Sequence, residues 1–231
     1  MQKNYILALF LFLVLIISTY FVTTTTDEYI VKANENIEIN TSIKEINKEE
    51  EKYIIKAYIP VSQTKELNTK LEGTYNDIIS KFEENVQDLK LLEDNRKFSL
   101  NINFTEYTYS EYISFLITYS CNFGGAHPDI NVVTVNYNKK DKEFIDINKL
   151  MEKNKDILNI FSNISYDSLK DKIEEKEDSN MLKQGTSPTK DNFTKFVFSK
   201  DGIILFFLNY SVAPYYLGNF EVKIPYSKIN M

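Results

Sequence analysis

Hydrophobic positions recur every three or four residues along the stretch that begins at Leu67. This spacing places the apolar side chains on one face of an α-helix. Thr64 precedes the run and suits the N-cap position. Gly73 costs such a helix about 1 kcal/mol, which burial of the apolar face can offset. The pattern predicts one long helix whose buried face carries Leu67, Leu71, Tyr75, Ile78, Phe82, Val86 and Leu89.

Strict alternation of apolar and polar positions predicts strands on both sides of that helix. Residues 98–105 show it most clearly, with Phe98, Leu100, Ile102 and Phe104 on one face. Asp201 and Gly202 separate two apolar runs and favour a tight hairpin turn. The predicted strands are 52–60, 98–105, 112–121, 131–138, 143–147, 193–200, 203–210 and 220–224.

Two shorter helices are predicted between these strands, at about 148–163 and 166–177, and residues 181–190 are expected to form a loop. Strands interrupted by segregated helices are typical of α+β domains. We therefore expect an α+β fold, with an antiparallel sheet, the long helix and two further helices.

The N-terminus contains the longest apolar run of the chain, residues 5–22, which has no charged side chain. Eighteen helical residues span roughly 27 Å, about the thickness of a bilayer core. Lys3 precedes the run, whereas Asp27 and Glu28 follow it, so the positive-inside rule places the body outside. We expect residues 1–26 to be a transmembrane signal-anchor or, alternatively, a cleaved signal peptide that releases a secreted protein.

The remaining chain is divided by composition. Residues 27–51 are polar and rich in charge and are expected to form a stalk. The folded body is expected to consist of a first half, 52–140, and a second half, 141–231. No internal repeat of fixed period separates the halves.

Charge limits the classes of partner. The chain has 27 basic and 33 acidic residues, a formal net charge of −6, and Lys3 is the only charged residue before Asp27. An acidic body disfavours nucleic acid and suits a cationic protein. The single cysteine cannot form an internal disulfide.

Catalytic motifs are missing from the sequence. His127 is the only histidine, so a histidine-rich metal site is excluded, and neither a nucleophile elbow nor a glycine-rich phosphate loop is present. Cys121 and His127 are the one conceivable covalent pair, and no third residue in the sequence is seen to orient them. We expect no catalytic residues, no metal and no cofactor. A cell-wall hydrolase of unrecognised type stays an alternative.

Two loops carry the candidate binding residues. Gly124, Gly125 and His127 lie in a turn-rich segment, NFGGAHPD, which also has a purely structural interpretation as an interstrand turn. Pro214, Tyr215 and Tyr216 follow an apolar strand. Tyrosines on a proline-stiffened loop provide large contact area at low entropic cost. Two half-buried core tyrosines are an equally good explanation.

The order of these motifs resembles a known family. GGAHP, a helical region, a KDGIILFF hairpin, APYYLG and IPY together resemble the paired extracytoplasmic domain of RsiV-type anti-sigma factors, which sense lysozyme. The same pair is found before the catalytic domain of PdaC-type peptidoglycan deacetylases. The resemblance covers about residues 52–229.

This resemblance implies an envelope binding module with a lysozyme-like protein partner. Only four residues precede the apolar run, and the chain ends at Met231. We therefore expect neither a sigma-binding domain nor a deacetylase domain. A second hypothesis is a peptidoglycan or glycan module, in which exposed tyrosines stack on sugar rings.

Overall fold

The computed structural model describes residues 41–90, 96–173 and 178–229, which contain both strands and helices. The elements are β1 (Ser42–Glu49), β2 (Tyr53–Val61), α1 (Lys65–Gln87), β3 (Phe98–Tyr109), β4 (Tyr112–Asn122), β5 (Asp129–Asn138), β6 (Glu143–Phe144), α2 (Ile147–Lys153), α3 (Ile157–Leu169), α4 (Asp178–Gly185), β7 (Phe196–Ser199), β8 (Gly202–Phe207) and β9 (Phe220–Ile224).

These strands form two sheets. The first has six strands in sequence order from β1 to β6, and the second has three in the order β7-β8-β9. All neighbouring strands are antiparallel except β2 and β3, which run parallel. Helix α1 provides the crossover that a parallel pair requires.

One face of the first sheet packs against α1. The helix buries the predicted stripe at Leu67, Leu71, Tyr75, Ile78, Phe82 and Val86. It meets alternate strand residues such as Ile55, Leu100 and Phe115, all fully buried. The Tyr75 hydroxyl lies inside this core and donates a hydrogen bond to the Tyr58 carbonyl oxygen, 2.8 Å away.

The second sheet packs between the later helices and the other face of the first sheet. Phe196, Phe198 and Phe207 join a core with Leu150 of α2 and Phe161 of α3. On its opposite side, Val197 and Phe206 contact Leu116 of β4 and Val132 of β5. The layers are therefore helix, sheet, sheet and helices.

Buried polar groups connect the two sheets. The Ser114 hydroxyl of β4 accepts a hydrogen bond from the Phe198 backbone N–H at 3.1 Å. The Asn136 side-chain amide of β5 donates to the Phe196 carbonyl oxygen at 2.9 Å. Ser114 and Asn136 are both buried, so these bonds satisfy strand groups that water cannot reach.

The α+β class and the long helix are confirmed, with corrections. The first sheet is mixed and not antiparallel throughout, because α1 joins two parallel strands. The described residues contain four α-helices and not three. The segment expected to form a loop, 181–190, begins inside α4, and the helical stretch 147–169 is broken at Asn154–Asp156 instead of near residue 165.

One further difference concerns the N-terminal part. Ser42–Glu49 falls in the expected stalk, yet it forms the edge strand β1, paired with β2. The predicted membrane helix lies outside the described residues. In the part of the chain that the structure describes, no helix combines the length and apolarity needed to cross a bilayer.

Candidate functional site

The loop between β8 and β9, residues 208–219, presents a group of tyrosines. We name it the tyrosine loop. It begins with a tight turn in which the Ser211 N–H donates to the Leu208 carbonyl oxygen and the Tyr210 N–H donates to the Ala213 carbonyl oxygen. Tyr210 has a φ of 65°, a left-handed conformation that is unusual for a non-glycine residue. The turn directs the Tyr210 ring to solvent, with 65% of the residue exposed.

Pro214 starts the second part of this loop. Tyr215–Leu217 forms one 3₁₀ turn, closed by a bond from the Leu217 N–H to the Pro214 carbonyl oxygen at 3.1 Å. Gly218 ends the turn with a φ of 74°. In an extended chain, adjacent side chains point to opposite faces. In the 3₁₀ turn, both Tyr215 (36%) and Tyr216 (68%) are exposed.

Contacts on its buried side hold the tyrosine loop in place. Val212 and Ala213 are buried among the helices and the second sheet. Gly185, the last residue of α4, lies so close that an added Cβ would stand 1.9 Å from the Ser211 carbonyl oxygen. At the base of the loop, the Asn209 N–H donates to the Asn219 side-chain oxygen at 2.8 Å. These contacts hold the backbone that carries the rings.

The turn between β4 and β5 supplies the second part of the surface. Gly124 has a φ of 80°, and its N–H donates to the Asn122 side-chain oxygen at 2.9 Å. Phe123 stacks on Phe82 of α1 at 5.5 Å between ring centroids. Phe123 is half-buried against the core, whereas Gly125 and His127 of the same turn are exposed.

The two loops meet through their rings. The His127 and Tyr215 ring centroids are 4.8 Å apart with a tilt of 49°, and Tyr215 also contacts Tyr210 at 5.8 Å. We name His127, Tyr210, Tyr215 and Tyr216 the tyrosine–histidine patch. The structure thus brings together the two segments that the sequence analysis selected, with Pro214 half-buried beneath the patch.

Tyr210 was missed by the sequence analysis, which placed it at the end of a strand. Its left-handed backbone depends on the turn that follows β8, and residue type gives no sign of that. Its proximity to the Pro214–Tyr216 motif was the one signal that could have included it in the site.

The geometry gives Cys121 no feature of an activated nucleophile. Cys121 lies on the face of β4 that packs toward α1, whereas His127 contacts Tyr215. Burial, reinforced by the Asp129 carboxylate, raises the pKa of the Cys121 thiol to about 11. The thiol therefore stays protonated at neutral pH and is a weak nucleophile.

No metal-binding arrangement is found either, as far as the described ranges extend: they contain no cluster of three or more histidine, cysteine, aspartate or glutamate residues. A shallow depression of about 420 Å³ lies between α1, β5 and α2, lined by Lys70, Asn136 and Lys149 among others. It shares no residue with the tyrosine–histidine patch. The patch is thus an exposed surface suited to contact with a large partner.

Comparison with known proteins finds a family model that matches part of the chain. Residues 148–227 match the family described as "Protein of unknown function (DUF3298)". The matched range includes Tyr210, Tyr215 and Tyr216 of the patch, while His127 precedes it.

A curated relative matches a longer part of the chain. The chain is 27% identical over 166 residues to the peptidoglycan-N-acetylmuramic acid deacetylase PdaC of Bacillus subtilis (strain 168). The match includes 71% of this chain and 36% of PdaC, so the chain spans about a third of that relative.

A crystal structure of a DUF3298 family protein from Pseudomonas aeruginosa PAO1 is similar in fold. It superposes with a TM-score of 0.60 at 12% sequence identity, covering 82% of this chain and 91% of the other. At this identity the similarity establishes the fold alone.

Proposed function

We propose that the chain is an extracytoplasmic cell-envelope module that binds a protein partner through the tyrosine–histidine patch. One observation carries the proposal: loops from two different sheets converge so that Tyr215 lies against both His127 and Tyr210. Tyrosine is enriched at protein interfaces because its ring provides large contact area and its hydroxyl a hydrogen bond.

The envelope location is supported by the relative and by the sequence. PdaC is named for a reaction on peptidoglycan, a cell-wall polymer. Residues 5–22 have the length and apolarity of a signal-anchor. We propose that the N-terminal segment inserts in the cell membrane with the body outside, or is cleaved to release the body.

The proposed partner is a cationic, lysozyme-like protein. The formal net charge of −6 favours encounter with a positively charged molecule. The motif order GGAHP, KDGIILFF and APYYLG resembles that of lysozyme-sensing ectodomains, and this resemblance supports the same class of partner. The deacetylase activity in the name of PdaC is not transferred to this chain, because the match covers 36% of PdaC. For this chain we propose binding without catalysis.

Titration of the purified full chain with a cationic lysozyme tests the proposal. We expect a complex at micromolar concentration or tighter, at low and at moderate salt. Tyr216→Ala should weaken binding by about 1 kcal/mol or more, as truncation of an interface tyrosine does. Calorimetry gives the affinity, and the melting temperature verifies that each variant is folded.

Phe144→Ala is the matched control, because Phe144 is an exposed aromatic residue of β6 outside the patch. It should leave the affinity unchanged. Absence of a binding signal at micromolar protein, or equal loss with Phe144→Ala and Tyr216→Ala, would contradict the proposal.

A further inference from the structure

The second sheet covers only one end of the outer face of the first sheet. Leu116 of β4 and Val132 of β5 lie beneath Val197 and Phe206. Farther along these strands the cover ends. Ile130, two residues before Val132 and therefore on the same face of β5, is 40% exposed. The open area includes Ile130 and extends sideways across β4, β3 and β2, since Thr118 pairs with Val132 and is followed across the sheet by the exposed Asn103.

The open area carries small, uncharged polar side chains. Asn101, Asn103 and Thr105 are exposed on alternate positions of β3. In register, Asn103 pairs with Thr118 of β4 and Asn101 pairs with Ser120, so the side chains stand in neighbouring rows on one face. We name these five residues the polar sheet face. Within the described ranges, their side chains have no hydrogen-bond partner from the protein.

An exposed aromatic ring borders the polar sheet face. Tyr58 of β2 is 40% exposed. It follows Ala57, which pairs with Ile102, so Tyr58 and Asn103 point to the same side. Charge occurs at the margin, where Lys56 pairs with Asn101 and Glu45 of β1 pairs with Tyr58.

We propose that this face binds a neutral, hydroxyl-rich glycan chain. Amide and hydroxyl side chains both donate and accept hydrogen bonds, which matches the hydroxyl and acetamido groups of a sugar. The apolar side of a sugar ring can stack on Tyr58. An exposed sheet surface of this kind suits a polymer that lies across the strands better than a small molecule that needs a pocket.

The distribution of charge favours a glycan over a cationic protein at this position. Charged residues make up 26% of the chain, yet the five residues of the polar sheet face include none. A cationic partner would gain no electrostatic attraction from them. The inference does not depend on the proposed protein partner, since Tyr58 and the five polar residues lie outside the tyrosine–histidine patch.

Co-sedimentation of the full chain with purified, insoluble peptidoglycan tests the inference, with a soluble N-acetylglucosamine hexasaccharide as competitor. We expect the wild-type chain to be retained and then released by the hexasaccharide. Tyr58→Ala should raise the apparent Kd about tenfold, equivalent to 1.4 kcal/mol. Asn103→Ala should weaken retention in the same direction. High salt should change retention little, because the face is uncharged.

Phe144→Ala controls for loss of an exposed aromatic ring and should be retained like wild type. Failure of the folded chain to bind peptidoglycan would overturn the inference. So would retention unaltered by Tyr58→Ala and Asn103→Ala together. If these two variants instead weaken lysozyme binding, the face belongs to the protein partner and the glycan assignment is wrong.

Discussion

At the scale of single residues, unusual backbone conformations determine where the rings of the patch point. Tyr210, Gly124 and Gly218 all have φ between 65° and 80°. For a tyrosine this left-handed conformation costs about 1–2 kcal/mol. The hydrogen bond from the Tyr210 N–H to Ala213 offsets part of it. Rings held in place before binding lose less entropy when a partner arrives.

Gly185 allows the closest approach beneath the tyrosine loop. Gly185→Ala would place a Cβ 1.9 Å from the Ser211 carbonyl oxygen and 2.8 Å from the Val212 side chain. We expect a loss of about 1–3 kcal/mol in the free energy of unfolding and weaker partner binding, because the loop must shift. Chemical denaturation and calorimetry measure the two effects.

Gly73→Ala is the matched control, since a Cβ there would meet nothing within 4 Å. In the interior of α1 it should stabilise the protein by about 0.5–1 kcal/mol. If Gly185→Ala proves as harmless as Gly73→Ala, α4 does not support the tyrosine loop.

Cys121 should react slowly with alkylating reagents in the folded protein. Its pKa of about 11 leaves little thiolate at pH 8, so we expect alkylation about 100-fold slower than for an ordinary thiol of pKa about 8.5. Because the folded state holds this proton more tightly, its contribution to stability is lost as pH rises from about 8.5 to 11. Iodoacetamide labelling followed by mass spectrometry measures the rate, with the urea-unfolded chain as reference. Equal rates at pH 8 would refute the prediction.

The sequence identified most of the patch but could not show that it is one surface. Tyrosines after a proline and a glycine-rich turn are local signals, and both were recognised. The contact between His127 and Tyr215 depends on how the second sheet crosses the first. Such packing between distant segments is not encoded in any local spacing of residues.

At the scale of elements, predictions held where one face of an element is buried. The apolar stripe predicted for α1 and the apolar positions predicted for β3 correspond to side chains that face the core. Strand β1 was not predicted from the sequence, because its residues are mostly exposed and charged. Such residues are common in edge strands. The parallel pairing of β2 and β3 could have been predicted, since a strand, a long helix and a strand in succession favour it.

Ser114 tests how the two sheets depend on each other. Ser114→Ala removes the acceptor of the Phe198 N–H in a buried interface. We expect the free energy of unfolding to fall by about 1–3 kcal/mol, the cost of an unpaired buried donor. Ser120→Ala, on the same strand and face but only half-buried, should change it by less than about 0.5 kcal/mol. Similar values for both variants would show that the inter-sheet bond contributes little.

At the scale of the whole molecule, the incomplete cover of the first sheet separates two kinds of surface. The aromatic patch lies where the β4–β5 turn meets the tyrosine loop. The polar sheet face lies on β3 and β4, beside the covered residues Leu116 and Val132. The protein and the glycan that we propose as partners would therefore bind different surfaces of one body.

Net charge gives the two proposed interactions different responses to salt, because only the protein partner is expected to be attracted by charge. The chain carries a formal charge of −6, so the association rate with a cationic lysozyme should fall at least about threefold as salt rises from about 20 to 200 mM, while the dissociation rate changes little. Stopped-flow or surface-plasmon measurements give both rates. The same lysozyme with its lysines neutralised by carbamylation should associate slowly at every salt concentration. An association rate independent of salt would mean that aromatic contact alone, without electrostatic steering, brings the partners together.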